Sequence, residues 1–338
     1  VEVHSILSRQ LVIGEMLARQ AGKNPNKTAL VEDGRRLSYG GLNRRVNRLA
    51  NALAGLSVGR GDRVAMMLFN CTGMVEGYFA LAKLGAVAVP VNFRFVAREV
   101  ADVLNHSESK AFIYDSVFHE MVDGIRERIP CVRHFIAVGG GDEEQYCDYE
   151  KLLASGNENE PVVPVDEDDP AYIMYTSGTT GRPKGAVLTH KNKFMNSVNC
   201  IIEIGLDTSD VYLCVPPLYH TAAMAVMLMM VFLGGTTVLV RQFDPAAVVE
   251  TAAREKVTIT FLVPAMWNAL LRVSGAGEKM KTLRKAITGA AIMPASLKEA
   301  VLKALPNVGL FDAFGQTEMS PVTTMLKPED ALWGGPIC

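Results

Sequence analysis

The sequence predicts an α/β protein of two related α/β subdomains, each a mostly parallel sheet flanked by helices, the first over residues 1–165 and the second over 166–338. Three observations predict it. GDRVAMMLFN, MVEGYFALAKLG and AVAVPVN read in turn as strand, helix and strand, and a helical connection of that length returns the second strand parallel to the first. The same order recurs in SDVYLCVPPLYHTAAMAVMLMMVFLGGTTVLV, where Asp210 to Gly234 covers 24 positions against 23 from Asp62 to Gly85. A pattern this loose fits two related halves and two independent crossovers equally. Between them, ASGNENEPVVPVDEDDP (154–170) carries the Pro, Asn, Gly and acidic content of a boundary or surface linker.

Taken in order, SYGGLNRRVNRLANALAGL puts Leu42, Val46, Leu49, Ala50 and Leu53 on one helical face and Arg44, Arg45 and Arg48 on the other, an amphipathic helix over a sheet. The crossover strand AVAVPVN ends at its proline. AYIMY is a compact apolar strand and GAVLTH another, followed by a helix with Phe194, Val198, Ile201 and Ile202 on one side. Near the end, VGLFDAFG reads as a strand running into a loop.

With 49% apolar and 21% charged residues over 338, the chain has the composition of a globular protein of about two domains. Lys and Arg total 34 against 36 acids, and a net charge of -2 gives no reason to expect nucleic acid or an anionic membrane as the main partner. The six cysteines show neither a CxxC pair nor zinc-like spacing with histidines, which points to a reducing, cytoplasmic setting. The N-terminus lacks a secretory pattern, and Pro216, Pro217, His220, Gly234 and Gly235 break the uncharged run 211–240 into pieces too short to span a bilayer.

The most distinctive stretch is YTSGTTGRPKG (175–185), which joins strand to strand. Glycines let backbone N–H groups approach anionic oxygens, hydroxyls donate, and a lysine adds charge, so the segment suits phosphate. By composition alone it suits a polar turn equally. It is not a P-loop: Gly178, Gly181 and Lys184 stand three apart, Gly185 follows the lysine, and no helix follows directly.

This segment matches [ST]-S-G-[ST]-T-G-x-P-K-G throughout and so resembles the phosphate loop of the acyl-adenylating superfamily, which includes acyl-CoA synthetases, firefly luciferase and peptide-synthetase adenylation domains. Further pieces are similar in the same order: LSYGGLNRRVNRLANAL, LAKLGAVAVPVNFR, PPLYHTAAM, ITGAAIMP and FDAFGQTEMSP, the last resembling the YGxTE motif with Phe314 for tyrosine. The resemblance runs from about Leu37 to the end. It implies ATP-dependent activation of a carboxylic acid to acyl-AMP and transfer to coenzyme A, an acid–thiol ligase requiring Mg²⁺.

By position, the resemblance implies that Thr176, Ser177, Gly178, Thr179, Thr180 and Gly181 wrap the β- and γ-phosphates, with Lys184 steadying the loop or adding charge. Glu318 would hold Mg²⁺ and Thr317 the α-phosphate. Gly289, Ala290 and Ala291 would line adenine, Phe314 stack on it and Asp312 accept from its amine. His220, which alone reads as an ordinary core histidine, would position or gate the carboxylate and thiol channel. Tyr219, Met224 and Trp267 are acyl-pocket candidates, although the methionine cluster around 224–232 is more simply a core pattern.

No acid stands in PLYHTAAMAVM to pair a substrate ammonium, so an amino acid is disfavoured and a fatty or other apolar acid favoured, with an aryl or alicyclic acid as alternative. The implied partners are that acid, ATP and CoA; a homodimer stays open. Twenty residues follow Glu318, too few for the family's later ribose-binding aspartate, hinge and small C-terminal domain. The chain therefore reads as most of a large N-terminal domain, impaired on its own. The rivals are a phosphotransferase, against which stand the absent Walker, HRD and DFG patterns, and a non-catalytic nucleotide-binding domain.

Overall fold

A computed structural model of the chain describes residues 11–140, 146–176 and 184–332. Its strands in chain order are β1 (Thr28–Glu32), β2 (Arg35–Ser38), β3 (Arg63–Met67), β4 (Val87–Pro90) and β5 (Ala111–Asp115). Then follow β6 (His134–Val138), β7 (Cys147–Asp148), β8 (Pro170–Thr176), β9 (Lys184–Thr189) and β10 (Val211–Cys214). The last are β11 (Thr236–Leu239), β12 (Ile259–Leu262), β13 (Lys285–Gly289), β14 (Gly309–Gly315) and β15 (Val322–Leu326).

The chain divides into two units, residues 1–27 with 38–195 and residues 28–37 with 196–338. The first is a seven-stranded sheet in the order β7-β6-β5-β3-β4-β8-β9, parallel except for the β8–β9 hairpin. The second is an eight-stranded sheet, β15-β14-β13-β12-β10-β11-β1-β2, in which β15 runs antiparallel to β14. The two-subdomain α/β architecture matches the sequence expectation, but the division differs from 165/166. β8 and β9 belong to the first sheet, with β9 at its edge, and the early segment 28–37 pairs through β1 with β11 of the second. Proline and acidic content at 154–170 marked a surface connection, and such composition does not tell which sheet the following strand joins.

Both crossovers predicted from sequence are present. In the first, the helix Thr72–Leu84 connects parallel neighbours β3 and β4; in the second, Thr221–Leu233 connects β10 and β11. Each helix ends on a left-handed glycine, Gly85 (φ 64°) and Gly234 (φ 82°), the conformation that glycine adopts without Cβ strain. An aspartate stands just before the first strand of each crossover: the Asp62 carboxylate takes the Gly59 N–H (2.9 Å) and Lys110 (2.9 Å). Asp210 takes the Asp207 N–H (2.9 Å), Lys285 (2.6 Å) and Arg284 (3.0 Å).

The amphipathic helix 39–55 buries Leu42, Val46, Leu49, Ala50 and Leu53 as its pattern predicts, and Ser38 caps it by accepting from the Gly41 N–H at 3.1 Å. No described helix is long and apolar enough to cross a membrane.

Candidate active site

In the second unit, a cavity of about 250 Å³ opens beyond the carboxyl ends of the parallel strands, where open α/β sheets collect ligands. It gathers His220 before the second crossover helix, Gly289 and Ala290 from the end of β13, and Phe314 with Thr317 from and after β14. These come from three separate segments, all selected in the sequence by the same resemblance.

Two glycines fix this geometry. A Cβ on Gly289 would stand 2.5 Å from the Ala313 carbonyl oxygen of β14, so only glycine allows the two strand ends to close up. A Cβ on Gly315 would run into the Pro321 carbonyl oxygen, the same oxygen that accepts the Gln316 N–H at 2.9 Å and closes the loop carrying Thr317 and Glu318. Ala290 itself is left-handed (φ 63°), uncommon for a residue with a Cβ.

Phe314 is 59% exposed and lines the cavity. Glu318, in the short 3-10 turn Thr317–Met319, is exposed, and no described residue engages its carboxylate. His220 is exposed at the helix N-cap with its ring 4.3 Å from that of Tyr219.

Other expectations differ. Asp312 does not line the cavity; its carboxylate pairs with Lys298 Nζ at 2.5 Å, which ties β14 to the helix 295–304. Ala291 is exposed and outside the cavity wall, because the left-handed turn at Ala290 redirects the chain. Tyr219 is buried against His220 and Met224 is wholly buried, neither lining the cavity. Trp267 belongs to the hydrophobic core with Val31, Leu213 and Leu310.

The wall that sequence reading missed is made by Thr221, Ala222, Ala225, Val226 and Met229 of the crossover helix, with Cys200, Ile204, Val322 and Met325 also lining the cavity. Met224 fails because it lies two positions from Ala222 and Val226, about 200° round the helix from each. Counted from Ala222 the helical period gives Ala225, Val226 and Met229, whereas counted from His220 it gives Met224, so the choice of phase decides which face is selected.

In the first unit, β8 and β9 are antiparallel, and their last pair sets Thr176 opposite Lys184, whose side chain is exposed. Ser177, Gly178, Thr179, Thr180 and Gly181 lie outside the described residues. The expected strand-to-strand context of the segment is therefore present, unlike the strand-to-helix context of a P-loop.

Comparison with known proteins agrees with these motifs. Residues 17–337 match the family described as AMP-binding enzyme. Feruloyl-CoA synthase from Amycolatopsis sp is 34% identical over 316 residues, 93% of this chain and 61% of that protein. Long-chain-fatty-acid–CoA ligase FadD13 from Mycobacterium tuberculosis is 34% identical over 325 residues, 95% of this chain and 63% of the relative. The chain thus spans about three-fifths of the length of these curated relatives. The inhibitor-bound N-terminal domain of FACL13 from Mycobacterium tuberculosis superposes with a TM-score of 0.88 at 33% identity, covering 95% of this chain and 79% of that one. An anthranilate CoA ligase, AuaEII, in complex with anthranoyl-AMP gives 0.90 at 25% identity, covering 94% and 62%.

Proposed function

We propose that this chain, which belongs to the AMP-binding enzyme family, carries the nucleotide- and acid-binding part of an acyl- or aryl-CoA ligase. In the first half-reaction a carboxylate oxygen attacks the α-phosphorus of ATP and the bond to pyrophosphate breaks, leaving acyl-AMP. In the second, the sulfur of CoA attacks the acyl carbon, the bond to AMP breaks and the thiol proton is released. The acid is already ionised, so the first step calls for charge neutralisation and in-line placement rather than a strong base.

The observation that supports this reading most is the cavity that joins Gly289, Ala290, Phe314, Thr317 and His220 beyond the strand ends. Gly289 and Ala290 offer an adenine-sized approach to backbone, the exposed Phe314 ring stacks on the base, and Thr317 donates to the α-phosphate. His220 positions the carboxylate at the mouth. Thr176, Ser177, Gly178, Thr179, Thr180 and Gly181 hold the β- and γ-phosphates, with Lys184 adding charge.

Glu318 suits Mg²⁺. Its exposed carboxylate has no described partner, and no cluster of three or more metal-ligating side chains exists among the described residues. One carboxylate completed by phosphate oxygens and water is how Mg²⁺ is commonly held on nucleotides. When bound, the ion neutralises phosphate charge.

Acid-dependent pyrophosphate exchange and AMP release test the proposal, measured on the 338-residue chain and on the chain fused to the remaining part of a relative. AMP production that depends on an apolar acid supports it. ADP production overturns it, and so does Mg-ATP binding without adenylate formation in the fusion. In that fusion, Glu318→Gln is expected to slow exchange about 10²–10³-fold through lost ion ligation; unchanged turnover at saturating Mg²⁺ removes Glu318 from this role.

A further inference from the structure

The helix wall of the cavity is a single stripe, Thr221/Ala222, Ala225/Val226 and Met229, spaced at successive turns. The side chains grow along it. Threonine and alanine stand beside exposed His220 at the N-terminal end, and Met229, only 1% exposed, stands at the far end. Cys200 and Ile204, one turn apart on the helix His190–Ile204, and Met325 of β15 also line the cavity. Asn196 Nδ2, one turn before Cys200, donates to the Val322 carbonyl at 2.9 Å and ties that helix to β15. None of the lining side chains is an acid, lysine or arginine.

We propose that Met229 is the floor of a bounded acyl subsite, which selects uncharged apolar acids of medium chain length or a single ring and rejects long chains. This rests on the adenylating reading above and names its substrate class. From Thr221 to Met229 the helix rises about 12 Å at 1.5 Å per residue. An extended chain advances about 1.2 Å per bond, so this depth takes about ten bonds. The volume also sets a limit: a cavity of about 150 Å³ encloses benzene, and about 250 Å³, shared with the base and α-phosphate groups at Gly289, Ala290, Phe314 and Thr317, has no room for a long chain. A second carboxylate at the tail would lose its hydration against apolar walls without a counter-charge. Methionine is unbranched and pliable, so the floor is also the place where the length limit is adjusted.

Non-hydrolysable acyl-sulfamoyl adenosines with hexanoyl, decanoyl, hexadecanoyl and 5-carboxypentanoyl groups, titrated calorimetrically against the 338-residue chain with AMP as reference, test this. The decanoyl compound is expected to bind about tenfold or more tighter than the hexadecanoyl and 5-carboxypentanoyl compounds. Met229→Ala is expected to bring the hexadecanoyl compound to within about threefold of decanoyl. Because that change removes core volume, Ala225→Phe gives an independent readout: it fills the middle of the stripe and lowers the decanoyl-to-AMP affinity ratio about tenfold. Hexadecanoyl binding as tight as decanoyl in the native chain overturns the floor, as does an unchanged length ratio in Met229→Ala. AMP binding with no dependence on the acyl group defeats this inference alone, whereas failure of AMP and every acyl compound to bind defeats the adenylating reading with it.

Discussion

The two crossover helices, TGMVEGYFALAKL and TAAMAVMLMMVFL, are each 13 residues long, begin at threonine, end at leucine and stop on a left-handed glycine. Aligned position by position, the face that lines the cavity in the second, Thr221, Ala222, Ala225, Val226 and Met229, corresponds in the first to Thr72, Gly73, Glu76, Gly77 and Ala80. There the face is filled. Glu76 is wholly buried, accepts from Arg45 and takes the Tyr149 hydroxyl at 2.7 Å; the Tyr149 ring also lies against Gly73, and the Met66 sulfur against Gly77. One scaffold thus supports either a packed polar plug or a binding cavity, according to what neighbouring segments lay over that face.

The largest expected effect breaks the plug. Glu76→Ala leaves the Arg45 guanidinium and the Tyr149 hydroxyl without their shared carboxylate. Severing a buried ion pair on one side costs about 3–5 kcal/mol, and the low end applies because Glu150 still holds Arg45 at 2.7 Å. Urea denaturation of the variant should show that loss. A change below about 1 kcal/mol would mean that the plug contributes nothing and that the two helices differ only in sequence.

A second test of the first unit uses pH. His190 is wholly buried, and its Nδ1 accepts the Ile13 N–H at 3.3 Å, so the ring is neutral with its proton on Nε2, which has no described partner. Burial pushes its pKa down from 6.5 to about 4, against a weaker upward pull from Asp169. The unfolded chain then binds more protons than the folded one between about pH 6.5 and 4, so stability is full above that window and falls through it. The loss is about 3 kcal/mol at 1.36 kcal/mol per unit. Denaturation midpoints at pH 7 and pH 4.5, compared with those of His190→Gln, should show the native chain losing more; an equal loss in both places the acid sensitivity elsewhere.

How much of this was legible follows from which contacts are local. Helical and strand periods disclosed both crossovers, and the glycine after each helix marked its end. That Phe314 stands near the end of a strand, with Thr317 and Glu318 on the turn after it, was also readable from FDAFGQTEMS. Three things were not. The pairing of β1 with β11 joins residues 207 apart, and no local signal specifies which distant strand a given strand pairs with. The Asp312–Lys298 ion pair depends on a helix packing beneath β14. Met224 and Met229 have the same composition signal, and only helix phase over a known cavity separates wall from core.

The smallest effect sharpens the comparison where the sheets themselves correspond. From β7-β6-β5-β3-β4-β8-β9 to β14-β13-β12-β10-β11-β1-β2 the strand orders match position for position, so β6 corresponds to β13. Both strands are five residues long, and each is followed by a left-handed residue: Gly139 (φ 79°) in the first unit, Ala290 (φ 63°) in the second. The first uses the residue that adopts this conformation freely; the second places a Cβ there, at a cost of about 1–2 kcal/mol. Part of that is offset because alanine restricts the unfolded chain. Ala290→Gly should therefore stabilise the protein by about 0.5–1 kcal/mol, seen as a higher denaturation midpoint. The same substitution removes the methyl that lines the cavity beside Phe314 and loosens the turn, so AMP affinity should fall about two- to threefold. Gain of stability with loss of affinity would show that the second unit holds its strand end under strain for binding. Gain of both would show that Ala290 is strained without return.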